Sequence, residues 1–176
     1  MLDRLFSNWA YATPPIAVLL IGLYPFIGSA IAFPLFLSLP AYMVHQFEEH
    51  DDNRFALFLN AMMGADKKGL TAGNVWVINV IFVWFLLLGV FYLASLNLAW
   101  AVMAAYLLAI NGALHVVWAL MFRKYNPGLV TSILLFFPIS VWIFSAIPAP
   151  VLIHVVSAIL MVVLHAAIMI TARRPA

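Results

Sequence analysis

No cysteine occurs among the 176 residues. Disulfides, thiolate metal sites, cysteine nucleophiles and covalently attached haem are therefore excluded, and a metal would find only imidazole and carboxylate. Charge is nearly as scarce. Charged residues make up 8% of the chain, against about 25% in soluble domains. Six residues are acidic, and four of them, Glu48, Glu49, Asp51 and Asp52, fall in one stretch. Internal repeats, low-complexity tracts and a secretory cleavage pattern are absent, as are His-Glu-x-x-His, Gly-x-Ser-x-Gly and a phosphate-cradling glycine loop. The net charge of +2 comes from cations at the ends of apolar runs, so it carries no nucleic-acid signal.

What is abundant is apolar. Hydrophobic residues make up 67% of the sequence, with a mean hydropathy of +1.12. Several continuous runs approach the ~20 residues a helix needs to cross a bilayer, without the short alternating segments of a β-barrel. The chain reads as all-α, one polytopic transmembrane helical bundle over residues 1–176, with the lipid bilayer as its surroundings. Six spans are expected near 10–27, 30–49, 74–95, 98–121, 128–147 and 150–171. Gly28-Ser29 is the turn between the first two; a single kinked helix there would leave five. Residues 1–13 form an interfacial lead-in. Phe55, Leu57, Phe58, Leu59, Met62 and Met63 predict a short interfacial amphipathic helix, followed by a loop over 64–69. Arg54, Lys67, Lys68, Arg123, Lys124, Arg173 and Arg174 fall on one side of this topology, and six spans add Arg4. The positive-inside tendency makes that side cytoplasmic.

The hydrophilic stretch YMVHQFEEHDD, Tyr42 to Asp52, ends the second apolar run. In a helix His45, Glu48 and Glu49 are related by i, i+3 and i, i+4, so all three project from one face. A rise of about 1.5 Å per residue gives each polar residue a depth. His45, Glu48 and Glu49 lie at the cytoplasmic end of the second span, with Asn79 about one turn into the third. His115 and His165 lie about two turns before the ends of the fourth and sixth. One layer therefore receives His, Glu, Asn, His and His from four helices. His154 belongs to the opposite end of its span, as a helix-packing residue, and His50 to the water boundary. Asn111, one turn deeper than His115, could orient its imidazole or bind a ligand; Asn79 and Asn111 could equally be interhelical glue.

His45-Gln46-Phe47-Glu48-Glu49 carries the pattern of the HXXEE family, small bacterial integral membrane proteins whose function is not established. The chain resembles that family from about Pro34 onward. The likeness includes Asn111-Gly112-Ala113-Leu114-His115 and the turn Tyr125-Asn126-Pro127-Gly128. The resemblance implies that His45, Glu48, Glu49, Asn111 and His115 are the positions that matter; the first apolar segment lies outside it. A looser likeness is to membrane proteases of the CAAX-processing type, which also gather paired glutamates and histidines in one layer. Arg54 stands one position too far from the glutamates for that pattern, and Asn111 and His115 occur in reverse order.

Imidazole and carboxylate ligands suit a divalent metal, zinc or non-haem iron. The expected ligands are His45, Glu48, His115 and His165, with Glu49 as base and Glu48 and Glu49 as the catalytic pair. Asn79 and Asn111 would support the ligands or bind substrate. Such an enzyme would activate water, or handle oxygen, on a lipid-like or small hydrophobic substrate. Two alternatives use the same residues: a metal-free hydrolase or isomerase working through Glu48, Glu49 and His115, and a non-enzymatic accessory or sensing subunit. Nothing in the sequence addresses oligomeric state.

Overall fold

The computed structural model describes residues 6, 8–27, 32–63 and 70–172. The expected Gly28-Ser29 turn, the 64–69 loop with Lys67 and Lys68, and Arg4, Arg173 and Arg174 lie outside the described residues. All secondary structure among the described residues is helical. In chain order the helices are α1 (Trp9–Ile27), α2 (33–50, built from Phe33–Phe36 and Ser38–His50), α3 (Arg54–Met63), α4 (Ala72–Leu96), α5 (Leu98–Phe122), α6 (Leu129–Ala146) and α7 (Val151–Ala172). Five of them, α1, α4, α5, α6 and α7, are long and apolar enough to cross a membrane.

α2 has nearly the same length but breaks at Leu37 and ends in the polar motif. It runs antiparallel to α1 over their full height. Tyr24 stacks near Phe33 and Phe36, with centroids 4.7 and 4.8 Å away, at one end. Trp9 meets the His50 ring at 5.3 Å at the other. Its 18 positions would rise roughly 27 Å, close to the thickness of a bilayer core. α2 is less apolar because of this polar end, whose His45, Gln46, Glu49 and His50 are buried within protein.

That inversion runs through the whole bundle. Val18, Phe26, Phe85, Leu120, Leu134 and Leu152 are exposed on its outside, while Ser38, Gln46, Asn79 and Ser140 are buried. An unpaired polar group in hydrocarbon costs several kcal/mol, so polar side chains turn toward partners on neighbouring helices. α2 sits centrally, packed by α1, α3, α5 and α6, and α5 carries α6 and α7 on its flanks. Residues 39–43 of α2 and Val102 to Leu108 of α5 supply much of the core. α3 folds back across the polar end of α2. Phe55 reaches Trp118, its ring stacked at 5.9 Å, and Leu59 is buried beneath it. The amphipathic helix therefore caps the polar layer from the charged side.

Two helices widen to i→i+5 hydrogen bonding, α4 over Val77–Trp84 and α6 over Ser132–Phe136. In α4 the Asn79 amide donates to the Val75 carbonyl at 2.9 Å, competing with the backbone N–H of the same residue for that acceptor. In α6 both the backbone N–H and the hydroxyl of Ser132 go to the Gly128 carbonyl, at 3.0 and 2.6 Å. Such widened turns are concentrated at functional sites. Both lie beside the polar layer.

A candidate metal centre at the end of α2

Glu49 is the hub. Its Oε1 lies 3.1 Å from His115 Nε2, and its Oε2 lies 3.5 Å from His45 Nε2 and 3.3 Å from His50 Nε2. All four side chains are buried. One carboxylate thus meets imidazoles from two positions of its own helix and from α5. Donor atoms of His45, Glu49 and His115 all lie within 4.8 Å of one another, so these three residues form a group that could hold a metal ion.

The outward-facing nitrogens of two rings decide what the inner ones present. His115 Nδ1 lies 2.6 Å from Asn126 Oδ1, while Asn126 Nδ2 donates to the His115 carbonyl at 2.9 Å. With its nitrogen so committed, the Asn126 oxygen can only accept, so His115 Nδ1 carries a proton. His45 Nδ1 lies 2.8 Å from Thr131 Oγ1, whose own proton goes to Glu48 Oε2 at 2.5 Å. That hydroxyl must then accept from His45, placing a proton on Nδ1 there as well. In the neutral rings, both Nε2 atoms therefore point lone pairs at Glu49. His45 Nε2 is fully buried and has no hydrogen-bond partner. Two lone pairs and a carboxylate facing each other repel unless a cation stands among them. Ligands at about 2.0–2.1 Å from a tetrahedral ion stand roughly 3.3 Å apart, close to the 3.1 and 3.5 Å between Glu49 and the two imidazoles. The residues fit a metal.

Glu48 faces the other way. Its Oε1 accepts from the Tyr125 hydroxyl at 2.8 Å and from Val130 N–H at 3.1 Å, and its Oε2 from Thr131 N–H at 2.7 Å. Oε2 also takes the Thr131 hydroxyl proton. A carboxylate at a helix N-terminus satisfies amides that have no intrahelical partner and faces the positive end of the dipole. Glu48 is thus the cap of α6, held outside the imidazole cluster and joined to it through Thr131. Burial and the hydrogen bond to Glu48 push the Tyr125 hydroxyl up to about 12, so it remains a donor.

His165 lies outside the cluster too. Its Nδ1 donates to the Met161 carbonyl at 2.7 Å, and its ring forms part of a cavity wall. Asn79, Asn111, Glu49, His50 and His115 face the same cavity. Asn79 is tied to α2. Trp84 Nε1 donates to Gln46 Oε1 at 2.8 Å, Gln46 Nε2 to Asn79 Oδ1 at 3.1 Å, and Asn79 Nδ2 lies 3.1 Å from His50 Nε2. Because an indole only donates, it sets the direction of this chain. Asn111 bonds Tyr42, not His115, at 3.2 Å. His154 stands apart, 3.2 Å from the Tyr106 hydroxyl. His50, expected at the water boundary, is instead buried, because Trp9 and Phe55 close over it at centroid distances of 5.3 and 6.0 Å.

Sequence reasoning gave no role to Gln46, Asn126, Gly128 or Thr131. Asn126 and Gly128 had a signal, the Asn-Pro-Gly turn before α6, but no distance in sequence ties that turn to the motif. Gly128 adopts φ +96°, and a Cβ there would stand 2.6 Å from His115 Cε1, 2.8 Å from His45 Cε1 and 2.9 Å from Glu49 Cγ. Backbone occupies the place where a side chain would push the cluster apart.

The molecule is a helical protein of membrane character with a buried His/Glu cluster. Within that class, the chain belongs to the HXXEE family, described as protein of unknown function with HXXEE motif, whose family model matches residues 36–143. The matched segment holds every residue of the cluster and the Asn126–Gly128 turn, and it omits α1 and α7. No curated protein and no solved structure matches the chain.

Proposed function

We propose that this chain is a membrane enzyme that holds one divalent cation, zinc or ferrous iron, on His45 Nε2, His115 Nε2 and the Glu49 carboxylate, and acts on a lipid-like substrate. One observation carries the reading: Asn126 and Thr131 commit both Nδ1 protons outward, so two Nε2 lone pairs meet at a buried carboxylate. A structural cluster would be served as well by apolar side chains, since a half-satisfied polar network costs stability. When bound, the ion would supply Lewis acidity and lower the pKa of a coordinated water. The chain's own residues do the rest. Asn126 and Thr131 hold each ring in one tautomer, as outer-shell partners of metal ligands do. Phe55, Trp118 and Phe136 surround the imidazoles with apolar surface and exclude bulk water. Glu49, His50 and His115 line a mostly apolar cavity, which favours a hydrophobic substrate.

Arg54, Arg123 and Lys124 flank the same end of the bundle as the cluster, and the positive-inside tendency then puts the site at the cytoplasmic leaflet of a bacterial inner membrane. Elemental analysis of protein purified in mild detergent tests the proposal. About one equivalent of zinc or iron should survive gel filtration. His115→Ala should lose it while keeping its helical circular dichroism. Wild-type protein that retains no metal after reconstitution with zinc and with ferrous iron would end this reading.

A further inference from the structure

Beside the cluster lies a cavity bounded by α2, α3, α4, α5 and α7. Its walls are mostly apolar, with Ile78 and Val83 from α4, Leu107 from α5, and Leu164 and Ile168 from α7. Its polar lining includes Glu49, His50, Asn79, Asn111, His115 and His165. An apolar chamber with a few convergent polar groups is the usual form of a small-molecule site.

The chemistry of the polar lining narrows the occupant. A carbonyl oxygen can only accept, so the contact between His165 Nδ1 and the Met161 carbonyl puts the ring proton on Nδ1. The neutral ring then offers Nε2 to the cavity as an acceptor. Glu49, the acidic residue of the lining, is an acceptor as well, and among the described residues neither Lys nor Arg lines the chamber. The described cations stand elsewhere; Arg54, for example, is bound to Asp51 at 2.5 Å on the surface. A fatty acid or phospholipid head would therefore bring negative charge toward a carboxylate without a side-chain counter-ion. His165 Nε2 and the Glu49 carboxylate, two acceptors on an apolar chamber, call for a neutral head group that donates. We propose that the cavity is the binding site of a long-chain alcohol, its hydrocarbon tail between α4 and α7 and its hydroxyl proton donated to His165 Nε2. This names the substrate class of the enzyme reading above and rests on that reading for the chemistry only; binding itself rests on the cavity and on His165.

The test uses three diazirine-bearing probes of equal chain length: hexadecanol, its methyl ether and the matching carboxylic acid. Each is cross-linked to the full chain in lipid nanodiscs, with and without chelator, and the adducts are mapped by mass spectrometry. The alcohol should label the cavity-facing segments of α4 and α7 about tenfold more than the ether or the acid, the margin expected for one buried hydrogen bond. His165→Phe should bring alcohol labelling down to the ether level and leave ether labelling unchanged, and Leu164→Trp should displace every probe. Equal labelling by the three probes, or a preference for the alcohol that survives His165→Phe, would overturn the proposal. A preference lost on chelation would also overturn it, because the metal and not His165 would then be reading the hydroxyl. Protein that contains no metal yet still prefers the alcohol would sink the enzyme reading and leave this binding site standing.

Discussion

Gly128→Ala is expected to be the most damaging glycine-to-alanine change among the described residues. Two independent costs coincide at this position. The backbone is left-handed, at φ +96°, where an L residue loses about 1–2 kcal/mol. The new Cβ would also enter the cluster, within 3 Å of carbons of His115, His45 and Glu49. Overpacking of this kind costs about 1–3 kcal/mol, and the neighbours are not free to move. Asn126 pins His115, Thr131 pins His45, and Glu49 is held between them. The sum is on the order of 3 kcal/mol, a large part of the stability of a domain this size. Thermal unfolding in detergent should show a much lower transition for Gly128→Ala, and bound metal should be lost. A Gly128→Ala protein that keeps both wild-type melting and wild-type metal content would show that the turn does not press on the cluster.

Glu48→Gln and Glu49→Gln should separate cleanly although the residues are adjacent. Glu49 is the only carboxylate among the imidazoles of the described cluster, so its amide variant removes the sole negative ligand and sets an NH₂ group against lone pairs. Removal of an outer-shell partner already costs 10–100-fold in metal affinity; loss of this ligand should exceed about 100-fold. Glu48→Gln keeps one good acceptor for the amides of Val130 and Thr131 but gives up the charge that faces the start of α6. The expected cost is about 1–2 kcal/mol in stability, from weakened capping and loss of the dipole interaction, with metal retained. Titration of the purified variants with zinc, followed by competition with a chromophoric chelator, measures the first effect. Melting in the presence of excess chelator measures the second. If Glu48→Gln loses metal and Glu49→Gln keeps it, the assignment of the two carboxylates is reversed.

That division of labour could not be read from spacing. Glu48 and Glu49 stand three and four residues after His45, on nearly the same face of α2, and only the arrival of the α6 N-terminus makes one of them a cap. The helices themselves were legible because composition dictates them: continuous apolar runs in a chain with so little charge leave helical spans as the way to satisfy the backbone. Depth along those spans was legible too, and His115 from α5 does meet the motif. Rotation about each helix axis was not. His165 arrives at a suitable height, yet its ring lies on the cavity wall with one nitrogen spent on its own helix. His50 follows the motif directly and looked solvated in sequence. It is buried because α3 folds back over it, a return that depends on the left-handed turn at Asp52 and Asn53, with φ of 51° and 57°. The reverse error concerns the Asn126–Gly128 turn, which reads as a loop but supplies both an anchor for His115 and the close backbone approach.

Convergence of His45, Glu49 and His115 on one cation is most directly tested by anomalous diffraction at the zinc absorption edge, from crystals of the full chain grown with zinc. One peak should lie within bonding distance of His45 Nε2, His115 Nε2 and a Glu49 carboxylate oxygen, about 2.0–2.2 Å from each. A map with no peak among these residues, and Glu49 hydrogen-bonded directly to protonated imidazoles, would contradict it.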